Sequence, residues 1–205
     1  MLIALSGCSG TNNDADPTAS YPSGTTPSVS AAATTHSPPP TTAAAYQPAT
    51  AEGPAQNVPV PVLPEKAKEF SKEGLIAFAE YWYSTLGYAY ETGDAGPMMA
   101  ISGPDCGNCA GAKKSTTSGH SDGKWIVGGL MYVSSTDTSF APLDDGTFQI
   151  IAMVRQDKVQ YYKADKELSK DLGTTISAPD ILIATYQDNN WIAQKVAHLE
   201  GRKGP

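Results

Sequence analysis

Basic residues are missing from the first 65 positions of this 205-residue chain. All 14 lysines and arginines lie at or after Lys66, and the formal net charge is −7. A chain without a basic cluster is a poor nucleic-acid binder, because neutralising phosphates needs clustered lysine and arginine. The same shortage argues against electrostatic docking on anionic lipid. No run of 18 apolar residues occurs, so the sequence predicts no membrane-spanning helix.

Motifs for catalysis, cofactors and metals are also missing. There is no glycine-rich phosphate loop and no serine in a nucleophile elbow. Residues 144–146, Asp-Asp-Gly, are predicted to form a turn and not a calcium site, since they lack the alternating oxygen ligands of a calcium loop. His36, His120 and His198 are isolated in sequence, and we expect surface or core histidines there. The sequence therefore predicts no catalytic residue, no metal site and no cofactor, and it favours a protein that is not an enzyme.

Cysteine is scarce, and the first of three stands near the start of the chain. Residues 5–8, Leu-Ser-Gly-Cys, resemble the lipobox of bacterial lipoproteins, in which a signal peptide is cut before a cysteine that receives a diacylglyceryl group. We interpret residues 1–8 as a truncated lipoprotein signal peptide, either because the true start codon lies upstream or because the chain was trimmed. The resemblance predicts a lipid anchor at Cys8 and a position on the outer face of the cytoplasmic membrane. The alternative is a short apolar terminus with a chance Leu-Ser-Gly-Cys.

Residues 9–62 form a low-complexity segment. It contains 15 serines and threonines, 11 alanines and 10 prolines, and it has no lysine or arginine. Such a composition buries too little apolar surface to offset the entropy of ordering, so we predict a disordered tether. Serine and threonine with proline are typical of an O-glycosylated stalk, and an unmodified spacer fits equally well.

Helical patterns open the domain predicted for residues 63–200. Apolar residues recur at steps of three and four over 71–92, which predicts a long amphipathic helix that Gly93 ends. Asp94 can cap a short second helix, and Asp105 can cap a third over about 106–117.

Strand patterns follow. Residues 125–134 predict a strand that bends at Gly128 and Gly129. Further strands are predicted at 147–154, 158–163, 181–186 and 191–199, with a hairpin turn at 188–190. The class is therefore α+β, with amino-terminal helices packed on a curved antiparallel sheet. Residues 201–205 are expected to be a frayed tail.

Cys106 and Cys109 form a Cys-Gly-Asn-Cys motif with three interpretations. A structural disulfide in an oxidising compartment is favoured. A redox pair would use a helix amino terminus to lower the first thiol's pKa, but the strand that leads into a thioredoxin-like site is missing. A zinc site would lack its second pair of ligands.

Aromatic residues of the long helix are candidates for a pocket or a partner surface. Trp82 and Tyr90 lie on the core-facing stripe and can pack in the core or line a pocket. Tyr81 and Tyr88, seven residues apart, share a face offset from that stripe. This second face is either a partner surface or solvated.

The order of elements is similar to the cone fold of the nuclear-transport-factor-two-like (cystatin-like, SnoaL-like) proteins. The residues that carry the resemblance are 90–94 at the helix end, 98–101, 104–105 and the final hairpin at 190–191. The resemblance implies a long helix and a curved sheet that enclose a pocket.

A second resemblance covers residues 63–200. The runs 64–68, 81–83, 92–94 and 102–109 look like a family of actinobacterial lipoproteins of unknown function. This resemblance implies secretion, a lipid anchor and one small domain, and it brings no catalytic residues.

Three hypotheses on function follow. The favoured one is a membrane-anchored binding or interaction module for a small apolar ligand or a cell-envelope protein. The alternative is a SnoaL-like enzyme with an acid/base pair in its pocket. A thiol–disulfide redox protein using Cys106 and Cys109 is the least favoured.

Overall fold

The structure is a computed structural model that describes residues 44–199. The predicted signal peptide at 1–8 with Cys8, the first part of the predicted tether at 9–43, and the tail at 201–205 lie outside the described residues. Within 44–199, no helix is both long and apolar enough to span a bilayer.

Helices make up the first half of the domain. A 3₁₀ turn at Glu65–Lys68 precedes α1 (Lys72–Thr92), α2 (Gly96–Ala100) and α3 (Gly107–Gly119), and a second 3₁₀ turn spans Ser121–Gly123. Ser71 starts α1, because its Oγ accepts a hydrogen bond from the Gly74 amide at 3.0 Å. Gly93 ends it in the left-handed region at φ 77°. The predicted long helix is thus present over the predicted residues.

One face of α1 supplies much of the core. The buried apolar side chains on this face are Leu75, Phe78, Ala79, Trp82, Leu86 and Ala89. Each of the larger ones contributes about 1.5–3 kcal/mol by leaving water. The three- and four-residue spacing in the sequence therefore identified the buried face.

In the described part of the chain, seven antiparallel strands form two sheets. The strands are β1 (Trp125–Gly128), β2 (Met131–Asp137), β3 (Phe148–Gln156), β4 (Val159–Tyr162), β5 (Leu168–Asp171), β6 (Ala178–Gln187) and β7 (Asn190–His198). The larger sheet has the order β2-β3-β6-β7, and the smaller one has the order β1-β4-β5. Pairings β2–β3 and β6–β7 each contain a bulge, a feature that bends a sheet. The predicted class, α+β with helices packed on antiparallel sheet, is confirmed.

Gly128 and Gly129 divide the single strand that was predicted at 125–134. Their φ angles are 79° and 87°, a left-handed conformation that side chains disfavour. A Cβ on Gly128 would lie 1.9 Å from the carbonyl oxygen of Lys158. The chain turns here, so β1 joins the smaller sheet and β2 the larger one.

Three further details differ from the sequence-based expectation. Asp105 does not cap α3, because Cys106 occupies the cap position and no side chain bonds to the exposed amides. Asp94 lies one residue before the cap position of α2, where its Oδ1 accepts from the Gly96 amide at 2.8 Å. β5 was not predicted, since all four of its side chains are exposed and leave no alternating pattern.

The domain begins earlier than the predicted Leu63. Residues 44–62, called here the amino-terminal arm, lie against the domain. The arm pairs Gln47 with Gln56 in a β-bridge, and its Thr50 carbonyl accepts a hydrogen bond from Trp125 Nε1 at 2.8 Å. Its Tyr46 hydroxyl donates to the buried Glu91 at 2.5 Å. The low-complexity composition hid this order, because the partners of the arm are polar groups far along the chain.

Candidate functional site

A cavity of about 270 Å³ lies between α1, α3 and the larger sheet. Its apolar wall consists of Trp82, Leu86, Ala112, Met131, Val154, Val196 and Ala197. Its polar lining consists of Tyr83, Asn108, Gln156, Thr175, Asp180 and His198. Mostly apolar walls with a few convergent polar groups are typical of small-molecule sites.

Asp180 is the centre of the polar lining. It is 8% exposed, and both carboxylate oxygens have partners. Oδ2 accepts a hydrogen bond from the Tyr83 hydroxyl at 2.9 Å, and Oδ1 is paired with Nδ1 of His198. Burial, followed by the charge of Asp180, raises the pKa of Tyr83, so this hydroxyl stays protonated and keeps donating. The cavity therefore contains a linked Tyr83–Asp180–His198 set.

The pairing register of β6 with β7 brings the carboxylate and the imidazole together. Asp180 and His198 are direct cross-strand partners. The turn-side register pairs Tyr186 with Trp191, and if it continued it would place Ala197 opposite Asp180. A bulge at Gln194 advances β7 by one residue, which puts His198 there instead.

His198 lines the cavity and has one open ring nitrogen. Its side chain is 64% exposed, and within residues 44–199 no hydrogen bond uses Nε2. With Nδ1 held by Asp180, Nε2 carries a lone pair in the neutral ring and a proton in the cationic ring. The pair can thus bind a polar group of a ligand or transfer a proton to it.

The first turn of α3 forms part of the cavity wall and is fixed by two links. A disulfide joins Cys106 and Cys109, whose Cα atoms are 5.2 Å apart. Asn108, between them, donates from Nδ2 to the carbonyl oxygen of Val196 on β7 at 2.7 Å. Both cysteines are almost fully buried, at 2% and 0% exposure. Thiol exchange needs an accessible sulfur, so this burial disfavours the redox interpretation.

Of the two aromatic residues predicted on the core-facing stripe, one lines the cavity. Trp82 forms part of the wall, and its Nε1 donates to Ser102 Oγ at 2.9 Å. Tyr90 packs beside the core but does not line this cavity. Its carbonyl oxygen lies 2.8 Å from Nε2 of His120.

The other two tyrosines lie outside the cavity. The Tyr81 hydroxyl donates to the carbonyl oxygen of Pro61, so the arm covers part of that face. Tyr88 is half-buried. The use of Tyr81 and Tyr88 as a partner surface stays a prediction.

The histidines have different environments. Burial lowers the pKa of His120, which favours its neutral form, and the ring lies away from the cavity. His198 lies in the cavity, whereas its isolation in the sequence had suggested a surface or core residue. Among residues 44–199, no cluster of three or more potential ligands could hold a metal ion.

Sequence reasoning missed Asp180 and the role of His198. The signal that could have paired them is the hairpin turn at 188–190, because a turn sets the register of the strands that it joins. If the two strands are paired outward from the turn without a bulge, Asp180 lies opposite Ala197. The bulge is not visible in the residue pattern, so the sequence limits the cross-strand partner of Asp180 to Ala197 or His198 without deciding between them.

A known family covers most of the part of the chain that the structure describes. A family model described as a family of unknown function, DUF6318, matches residues 44–197. The chain belongs to DUF6318. The match includes residues 44–62, so the DUF6318 unit contains the amino-terminal arm as well as the helices and sheets. The expectation of a family of unknown function is thereby confirmed, and the lipoprotein assignment stays a prediction.

Two solved structures that are similar to this DUF6318 chain come from Streptomyces. Aln2 from a Streptomyces species is 12% identical with a TM-score of 0.39, over 62% of this chain and 90% of that one. ActVI-ORFA from Streptomyces coelicolor is 12% identical with a TM-score of 0.36, over 61% and 97% of the two chains. No curated protein matches the sequence.

Proposed function

We propose that the domain binds a small, mainly apolar molecule in the cavity between α1, α3 and the larger sheet. The observation that carries the proposal is the contrast inside the cavity: apolar side chains form most of its wall, and one linked polar set faces them. The apolar wall supplies affinity by removing ligand surface from water. The polar set fixes the orientation of the ligand.

The cavity is held in shape before any ligand binds. Tyr83 and His198 satisfy the Asp180 carboxylate, and Asn108 ties the first turn of α3 to β7. A cavity whose polar groups are already oriented loses less conformational entropy on binding. This rigidity favours a binding function over a passive packing defect.

We propose further that the domain acts outside the cytoplasmic membrane, anchored by a lipid on Cys8. The support is the lipobox resemblance of residues 5–8 and the low-complexity segment after it. Mass spectrometry of protein extracted from host membranes tests this. A diacylglyceryl mass on Cys8 is expected, and an unmodified Cys8 would contradict it.

The binding proposal is tested by filling the cavity. Ala112 lines the cavity from α3, whereas Ala110 on the same helix is exposed on the outer side. The probe is 3-phenylpropanol, a neutral single-ring alcohol, titrated by calorimetry and NMR. Wild type and Ala110→Phe are expected to bind it saturably, and Ala112→Phe is expected not to. Equal binding by all three proteins would contradict the proposal.

A second candidate is an enzyme that uses general acid–base chemistry. The specific observation is the imidazole held by a buried carboxylate beside a cavity, since proton transfer needs a positioned base with an open nitrogen. The test follows exchange of the α-protons of phenylacetone in D₂O by NMR. Faster exchange with wild type than with His198→Gln would support catalysis, and identical rates would contradict it.

A further inference from the structure

We propose that the ligand is a small carboxylic acid with an apolar body, bound with its acid group at His198. The inference rests on the proposed function of the cavity and specifies the chemistry of its occupant. It is carried by the distribution of polarity along the cavity and by the one open hydrogen-bonding nitrogen of the Asp180–His198 pair.

The open polar groups of the cavity lie at its mouth. Deeper in, Trp82, Val154 and Leu86 are only 2%, 5% and 7% exposed, and the buried polar groups Tyr83 and Asp180 are hydrogen-bonded to each other. His198 and Asn108 are exposed and lie at the mouth. A ligand that matches this distribution has its apolar body inside and its polar group outside. A charged group at the mouth also keeps part of its hydration, which limits the desolvation cost.

The charges of the lining select an acid over an amine. Among the lining residues the titratable side chains are His198, Asp180 and Tyr83, and none is lysine or arginine. An amine would need Asp180, but this carboxylate is only 8% exposed and each of its oxygens already accepts one hydrogen bond, from Tyr83 and from His198. An acid needs only Nε2 of His198, which is open. The protonated imidazole would then stand between two carboxylates and donate to each, and charge-assisted hydrogen bonds of this kind are the strong ones.

The cavity volume limits the apolar body. About 270 Å³ lies just below the roughly 300–1,000 Å³ range of pockets for drug-sized ligands. An apolar cavity of about 150 Å³ holds benzene, so a single aromatic ring or a short acyl chain fits this space.

Three probes that share one body and differ in one group test the inference on the full chain. The probes are 3-phenylpropanoate, 3-phenylpropanol and 3-phenylpropylamine, titrated by calorimetry at pH 5.5 and pH 8.5. At pH 5.5 we expect the acid to bind about tenfold more tightly than the alcohol, and the amine most weakly. At pH 8.5 the advantage of the acid should disappear, because a neutral ring that donates from Nδ1 to Asp180 has no proton on Nε2. In His198→Gln the acid should have no advantage at either pH value, while the alcohol still binds.

The outcomes separate this inference from the proposed function. If the alcohol binds in wild type but not in Ala112→Phe, and the acid shows no advantage, the cavity is a binding site and the acid assignment is wrong. The same assignment is overturned if the amine binds most tightly, or if His198→Gln keeps the advantage of the acid. If none of the probes binds, or if Ala112→Phe binds them as wild type does, the proposed function fails together with the inference.

Discussion

The Tyr83 hydroxyl donates a hydrogen bond to Oδ2 of Asp180 at 2.9 Å and so joins α1 to β6 across 97 positions of sequence. Both residues are buried, and the bond leaves the carboxylate with a partner on each oxygen once His198 is included. A buried carboxylate without such partners would be costly. The pair therefore serves the stability of the domain as well as the polarity of the cavity.

Replacing Tyr83 by phenylalanine should lower the free energy of unfolding. The change removes one donor and leaves a buried acceptor unsatisfied, which costs about 1–3 kcal/mol. Urea unfolding monitored by circular dichroism measures the effect. Tyr88→Phe is the matched control on the same helix, since no hydrogen bond of its hydroxyl occurs within the described residues, and its stability should stay close to that of wild type. A loss in Tyr83→Phe no larger than in the control would contradict the account.

Gly128 should be the most sensitive glycine at the junction of the two sheets. An added Cβ would lie 1.9 Å from the Lys158 carbonyl, and φ is already 79°. We expect Gly128→Ala to destabilise the domain by at least about 2 kcal/mol in thermal or urea unfolding. Gly146→Ala separates backbone strain from steric clash, because Gly146 has φ 77° but no atom within 4 Å of the added Cβ. This variant should lower the free energy of unfolding by about 1 kcal/mol, which is the cost of the left-handed conformation alone. Equal losses in the two variants would show that the close approach of β1 to Lys158 does not matter.

The contact of the amino-terminal arm with Glu91 should depend on pH. The pKa of Tyr46 is raised to about 12, mainly by burial and to a smaller extent by the hydrogen bond to Glu91 and the negative charge of Glu91. The folded pKa lies above the ordinary value near 10, so this contribution to stability is complete below pH 10 and is lost as the pH rises through about 12. The difference in unfolding free energy between wild type and Tyr46→Phe should therefore shrink from pH 10 to pH 12. A difference that stays constant over this range would contradict the contact.

The disulfide should stabilise α3 and the cavity together. Closing a loop of this length contributes about 2 kcal/mol by restricting the unfolded chain. Cys106→Ala with Cys109→Ala should lose about this much stability and bind 3-phenylpropanol more weakly, because the first turn of α3 carries Asn108 and part of the wall. Unchanged stability would show that the disulfide does not stabilise the domain. Reductase turnover that disappears in the variant would favour the redox interpretation.

Local signals were sufficient to predict the class of fold. Ser71 and Gly93 mark the ends of α1, and the spacing of its apolar residues shows the buried face. The junction at Gly128 was recognised as a bend, but the sequence does not say that the strands on either side enter different sheets. That outcome depends on the pairing of β1 with β4, a contact between distant parts of the chain.

The site depended on features that have no local signature. Asp180 and His198 meet through a one-residue bulge, and Tyr83 reaches them from the other layer of the fold. The arm was predicted to be a free tether because its composition is poor in apolar residues. Its order comes from Trp125 and Glu91, whose need for partners is not visible in the sequence around residue 50.

Methionine methyl NMR tests the central claim, binding in the cavity between α1, α3 and the larger sheet, most directly. Met131 lines the cavity, whereas Met99 lines an open groove on the outer side of α3, and Met153 lies on β3 outside the cavity lining. The measurement titrates 3-phenylpropanol into ¹³C-methyl-methionine protein and follows the three signals. A saturable shift of the Met131 signal, with Met99 and Met153 unmoved, is the result that the account predicts. A shift of Met99 or Met153 with Met131 unmoved would contradict it.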